Sequence, residues 1–129
     1  MEPTFHHAGI ATDDADALAA LYRDTFGLAV AHTETFDGLR IVFLDSGGSY
    51  FELLEPVDND TVAGFLDDRG PGVHHLALAV EDVARALERA RENDVATIDD
   101  TPREGAWGHE VAFLHPRDTG GVLIEFVGH

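Results

Sequence analysis

The sequence predicts an α+β fold of two tandem βαβββ modules, and three observations carry that prediction. The chain opens twice in the same way, with His7-Ala-Gly-Ile-Ala11 before Asp13 and Asp14, and with His75-Leu-Ala-Leu-Ala79 before Glu81 and Asp82. Each opening leads into a helical apolar stripe and then into three strand-like runs. Each half also carries a glutamate inside an otherwise apolar run, Glu52 in the first and Glu125 in the second. The histidines lie 68 residues apart and the glutamates 73, so matching polar residues recur at matching places.

The elements follow in order. Asp13 and Asp14 are N-cap candidates for a helix to about Phe26, where Leu18, Leu21, Tyr22 and Phe26 recur at helical spacing and Gly27 is the stop. Strands are expected at Ala29–Thr35, Leu39–Asp45 and Ser49–Glu55, with turns at Gly38 and Ser46-Gly47-Gly48. Thr61–Arg69 reads as a short helix ending at Gly70-Pro71-Gly72. In the second half a helix runs to about Asn93 on Val83, Leu87 and Ala90, followed by strands at Val95–Ile98, Glu110–His115 and Val122–Val127. Module one spans about residues 5–56, the connector 57–72 and module two 73–128, within a single domain over residues 1–129.

Composition narrows the function classes. A hydrophobic fraction of 44% is enough for a packed core and excludes disorder. There is no cysteine, hence no disulfide and no thiolate chemistry. No apolar run approaches the ~20 residues that span a bilayer, and the first residues carry no basic signal, so a cytoplasmic location is expected. Net charge is −17, and all eight basic residues are Arg. That field argues against nucleic acid and anionic membranes as partners. Acidic excess without Lys points to a salt-loving source. Screening should therefore stabilise the fold: the melting temperature is expected to rise between dilute buffer and molar salt, where the Debye length falls to ~3 Å. A flat or falling melting temperature would remove the halophilic reading.

Alternation along the strands shows why four residues form a set. His75 shares its face with Ala77 and Ala79, whereas Leu76, Leu78 and Val80 occupy the other; His7 shares its face with Gly9 and Ala11. Small neighbours leave room beside each imidazole. Burying Glu52 and Glu125 costs several kcal/mol or more unless a cation or strong partner compensates. Two imidazoles and two carboxylates at repeated positions fit one borderline divalent cation such as Co²⁺, Mn²⁺, Ni²⁺ or Zn²⁺. His6 and His74 fall on the opposite face and read as structural, His32 and His129 read as peripheral, and His109 and His115 flank a strand near Trp107.

These halves resemble the vicinal oxygen chelate superfamily, which includes the glyoxalases, along essentially the whole chain. The closest likeness within it is the methylmalonyl-CoA epimerase family. It is carried by His7–Ala11, Phe51-Glu-Leu-Leu-Glu-Pro56, Val73-His-His-Leu-Ala-Leu78, Gly105-Ala-Trp-Gly108 and, most specifically, Phe113-Leu-His-Pro-Arg-Asp-Thr-Gly-Gly-Val-Leu-Ile-Glu-Phe126. The resemblance implies a cupped mixed sheet around a metal, a homodimer, and inversion at C2 of an acyl-CoA through an enolate. It places His7, Glu52, His75 and Glu125 at the metal-ligand positions, with Co²⁺ first among the four ions, and gives Glu125 a part in proton transfer.

One departure follows. Members of the family carry Glu, then Gln or His, then Gly ahead of the strand that starts here at Leu39; this chain reads Phe36-Asp37-Gly38. Phe36 cannot move protons. Glu34 shares Phe36's face if the strand stays extended, and Asp37 serves if the turn shifts register; loss of epimerase activity is the third possibility. Arg40, Arg103 and Arg117 are candidates, by charge, for gripping the CoA phosphates. The rival readings are a glyoxalase I-type lyase, a superfamily oxygenase and a ligand-sequestering protein on the same scaffold. The Phe113–Glu125 block favours the epimerase over the lyase. Ligands in both halves argue against the oxygenase, which generally builds its site from one module, and against the binder.

Overall fold

A computed structural model describes residues 3–128; His129 lies outside them. The chain divides into two compact units, His7–His74 and the residues up to His6 together with those from His75 onward. Among the described residues no helix is long and apolar enough to cross a membrane.

The first unit is built from β1 (Thr4–Ala11) from His7 onward, α1 (Ala15–Phe26), β2 (Ala29–Phe36), β3 (Leu39–Asp45), β4 (Tyr50–Pro56) and α2 (Asp60–Arg69). Its strands are ordered β2-β3-β4-β1, antiparallel except for the parallel pairing of β1 with β4. Asp14 caps α1 by accepting from the Ala17 amide at 3.0 Å, and Gly27 closes the helix at φ 73°. The helix lays Ala15, Ala19, Leu18 and Tyr22 on Ile10, Val42, Leu44 and Leu53. Alternation then turns His7, Gly9, Ile41, Phe43 and Glu52 to the other face of the sheet.

The β2–β3 connection sets the register of that face. Asp37 and Gly38 have φ of 54° and 72°, the paired positive values of a two-residue type I′ hairpin. A Cβ at Gly38 would overlap the Asp58 carbonyl, so glycine is demanded twice over, by conformation and by space. The hairpin pairs Phe36 with Leu39, Glu34 with Ile41 and His32 with Phe43, and a bulge between Val30 and His32 shifts the register before it.

The second unit repeats the plan with β5 (Gly72–Val80), α3 (Val83–Glu92), β6 (Arg103–Glu104), β7 (Glu110–Phe113) and β8 (Ile124–Gly128). Its order is β5-β8-β7-β6, again antiparallel except for one parallel pair, β5 with β8. Asp82 caps α3, whose Val83, Leu87 and Ala90 pack on Ala112, Leu114, Ile124 and Phe126. Ala77, Val111 and Val127 form a smaller cluster.

One expected strand is corrected. Val95–Ile98 makes only an isolated bridge, Thr97 to Leu114, and the paired strand lies later, at Arg103–Glu104. Backbone bonds join Ile98 N–H to the Phe113 carbonyl and His115 N–H to the Ala96 carbonyl, both at 2.8 Å, but side chains end the ladder: Asp118 accepts from the Ala96 amide at 2.9 Å, and Asp99 accepts from the Phe113 amide at 2.8 Å. With those groups satisfied the ladder has nothing to extend it.

Candidate metal centre and active site

Each unit buries a histidine beside a glutamate, and the two pairs match. In the first unit His7 Nε2 lies 3.1 Å from Glu52 Oε1; in the second His75 Nε2 lies 3.3 Å from Glu125 Oε1. All four residues are 7% exposed or less. The local cause is the same in both: a strand of small residues carries the histidine, and the parallel neighbour strand carries the glutamate. Glu52 pairs in register with Gly9, and Glu125 with Ala77, so no side chain crowds either carboxylate from the histidine's strand beyond a methyl group.

The spacing within each pair is compatible with two ligands on one ion. Donors about 2.0–2.2 Å from a cation, at angles between octahedral and tetrahedral, sit about 3.0–3.5 Å from one another. Both His–Glu separations fall in that range, with Nε2 and a carboxylate oxygen as the facing atoms. Imidazole nitrogen with carboxylate oxygen is also the donor mixture that borderline divalent ions take.

Aromatic rings frame each pair. Phe43, fully buried, meets His7 edge-on at 5.9 Å and Tyr50 at 6.0 Å. Phe113 meets His75 edge-on at 5.5 Å and pairs in register with Glu125. Over the Phe113 ring, at 5.6 Å, lies the Arg103 guanidinium, whose Nε donates to Asp99 at 2.9 Å. Arg103 thus stands on the Glu125 face of its unit. Arg40 does not stand on the Glu52 face: its register places it with Val42 and Leu44 toward α1, where Nη2 donates to Asp16 at 3.0 Å. Arg117 is exposed on the turn Pro116–Asp118, which His115 caps by accepting from the Arg117 amide.

The remaining histidines sort by contact. His74 packs edge-on against Phe65 of α2 at 5.0 Å, and His6 against His109 at 5.4 Å, with Trp107 next to His109. Trp107 itself is held at φ 61° in the Gly105–Gly108 loop. A Cβ at Gly105 would meet Val111 at 2.8 Å, which accounts for glycine there.

Comparison with known proteins places the chain in a family. Residues 6–113 match the family model of the Glyoxalase/Bleomycin resistance protein/Dioxygenase superfamily. An ethylmalonyl-CoA/methylmalonyl-CoA epimerase of Cereibacter sphaeroides is 36% identical over 125 residues, 93% of this chain and 93% of its own length. The chain belongs to the methylmalonyl-CoA epimerase family. Two solved structures of that family extend the likeness to the fold. Methylmalonyl-CoA epimerase from Mycobacterium tuberculosis superposes with a TM-score of 0.91 at 37% identity, over 96% of this chain and 86% of that one. A methylmalonyl-CoA epimerase in complex with methylmalonyl-CoA and NH4+ superposes at 0.92 with 38% identity, over 99% and 95%.

His32, Glu34 and Phe36 are half-buried on one face of β2, while Thr33 and Thr35 are exposed. Asp37 is exposed at the hairpin tip, where its carbonyl accepts from the Asn59 amide nitrogen at 2.9 Å. The structure therefore sets Glu34, and not Asp37, on the face of His7 and Glu52. His32, expected to be peripheral, lies on that face too, with Nε2 at 3.0 Å from Glu34 Oε1. The signal for it was in the sequence: two polar residues two apart on a strand lean to one side.

Proposed function

We propose that this chain interconverts the two C2 epimers of methylmalonyl-CoA, with His7, Glu52, His75 and Glu125 as the ligands of one divalent metal ion. The observation that carries this reading is the matched, buried His–Glu pair in each unit of a chain from this epimerase family. When bound, the cation supplies Lewis-acid stabilisation to charge developing on the thioester and carboxylate oxygens of the substrate. Co²⁺ is the first choice, with Mn²⁺, Ni²⁺ and Zn²⁺ accepted by the same donors.

The chain's own groups handle the proton. C2 lies between a thioester and a carboxylate, so its C–H bond breaks with the electron pair passing into the thioester carbonyl. A carboxylate on one side takes that proton, and an acid on the other delivers one to the opposite face. Glu34 takes the first role and Glu125 the second, with the pair exchanging roles in the reverse direction. Arg103, already oriented by Asp99, supplies a cation for the anionic substrate on the Glu125 face, and Arg117 a second, exposed one. Arg40, paired with Asp16 toward α1, is the weakest of the three candidates. We assign the chain to the cytoplasm of a salt-loving cell, as a homodimer.

Supplying one pure epimer and following C2 stereochemistry tests the reaction class. An epimerase yields both epimers and leaves the thioester intact. A glyoxalase I-type lyase leaves the C2 configuration untouched and instead turns over a thiol hemithioacetal, an outcome that would displace the epimerase reading.

A further inference from the structure

Glu34 does not face the site alone. The β2–β3 register sets His32 opposite Phe43, two positions and one same-face step from Glu34 opposite Ile41. The imidazole Nε2–H donates to Glu34 Oε1 at 3.0 Å, and the ring rests on Phe43, tilted by 44° at 6.1 Å. Phe43 is buried at 1% and also meets His7 edge-on, so the platform under His32 is closely packed. A carboxylate on a strand has two rotatable bonds beyond Cβ. Fixing one oxygen through a ring that is itself fixed leaves the other with one preferred direction.

We propose that His32 is a positioning residue for Glu34: it holds Oε1 so that Oε2 is presented to substrate C2. This rests on the epimerase reading above. It also accounts for how a chain with Phe at position 36 retains a base, since the hairpin moves the working carboxylate one same-face position back along β2 and supplies a partner to orient it. In the step itself the C2–H bond breaks, the proton passes to Glu34 Oε2, and the electron pair enters the thioester carbonyl. The His32 N–H bond stays intact throughout. A half-buried contact between neighbouring residues of one strand adds little to stability, so its value lies in geometry. Misplacing a reacting group by about 1 Å costs on the order of 10²-fold in rate.

Two substitutions separate the roles of ring and donor. His32→Phe keeps a ring on Phe43 and removes the donor; His32→Gln keeps an N–H donor and removes the ring. Each protein, loaded with Co²⁺, is given one pure epimer of methylmalonyl-CoA in D₂O, and C2 deuterium uptake is followed from each epimer separately beside a melting curve. If His32 orients the base on one face, His32→Phe slows uptake from one epimer by roughly 10–100-fold. Uptake from the other epimer, whose proton leaves to Glu125, falls much less. His32→Gln recovers most of the loss, and adding His32→Phe to Glu34→Gln changes nothing further. Equal slowing from both epimers, or a loss that persists in the Glu34→Gln background, overturns the positioning role. Unchanged uptake in His32→Phe overturns it as well. Absence of uptake from either epimer by the unmodified, metal-loaded protein is a different failure, that of the epimerase reading itself.

Discussion

Alanine at His75 is expected to leave a folded protein that cannot hold its metal and does not turn over. The imidazole is 4% exposed and supplies Nε2 at 3.3 Å from Glu125 Oε1, so its removal opens a gap beside a buried carboxylate and removes a neutral nitrogen donor. Loss of even an outer partner of a metal ligand typically costs about 10–100-fold in affinity or activity, and loss of a ligand should exceed that. The same holds for His7→Ala, Glu52→Ala and Glu125→Ala, because the repeat gives each half an equivalent pair. His6→Ala and His74→Ala are the matched controls, since these rings pack on His109 and Phe65. Metal per chain after dialysis decides the matter. Should His6→Ala lose its metal while His7→Ala keeps it, the face assignment is wrong.

Glu34→Gln is the second large effect. The amide preserves the shape and can still meet His32, yet it cannot accept the C2 proton. Positioned acid–base groups are typically worth roughly 10²–10⁴ in rate, and a loss of that size in turnover is expected with metal content unchanged. Asp37→Asn should leave turnover near that of the unmodified protein, because Asp37 sits at the exposed tip of a type I′ hairpin and its backbone, not its carboxylate, holds Asn59. If Asp37→Asn abolishes turnover and Glu34→Gln does not, the base lies at the turn. If neither matters, Glu125 or a metal-bound water carries the proton alone.

The modules were legible in the sequence because the repeat is written twice in the same characters: a histidine with small same-face neighbours, an acidic helix cap, and a glutamate in an apolar strand. Alternation alone predicted which face His7 and His75 take, and both units bury them beside the glutamates. What the sequence hid was set by contacts that no period encodes. The run Val95–Ile98 has strand composition, but Asp118 and Asp99 accept from the Ala96 and Phe113 amides, and ladder pairing moves to Arg103–Glu104, where composition reads as loop. Arg40 was named by charge alone, and charge did not show that its register puts it on the α1 face beside Asp16. His32 has the same alternation parity as Glu34; what that parity did not show was the Phe43 ring opposite it and the contact with Glu34.

Hydrogen exchange at C2 tests the central claim most directly. A single epimer of methylmalonyl-CoA is incubated in D₂O with the Co²⁺-loaded protein, and again after chelation. Epimerisation through an enolate predicts deuterium at C2 together with appearance of the other epimer, and neither once the metal is removed. No deuterium at C2 and no second epimer, with the metal confirmed in the protein, would contradict it.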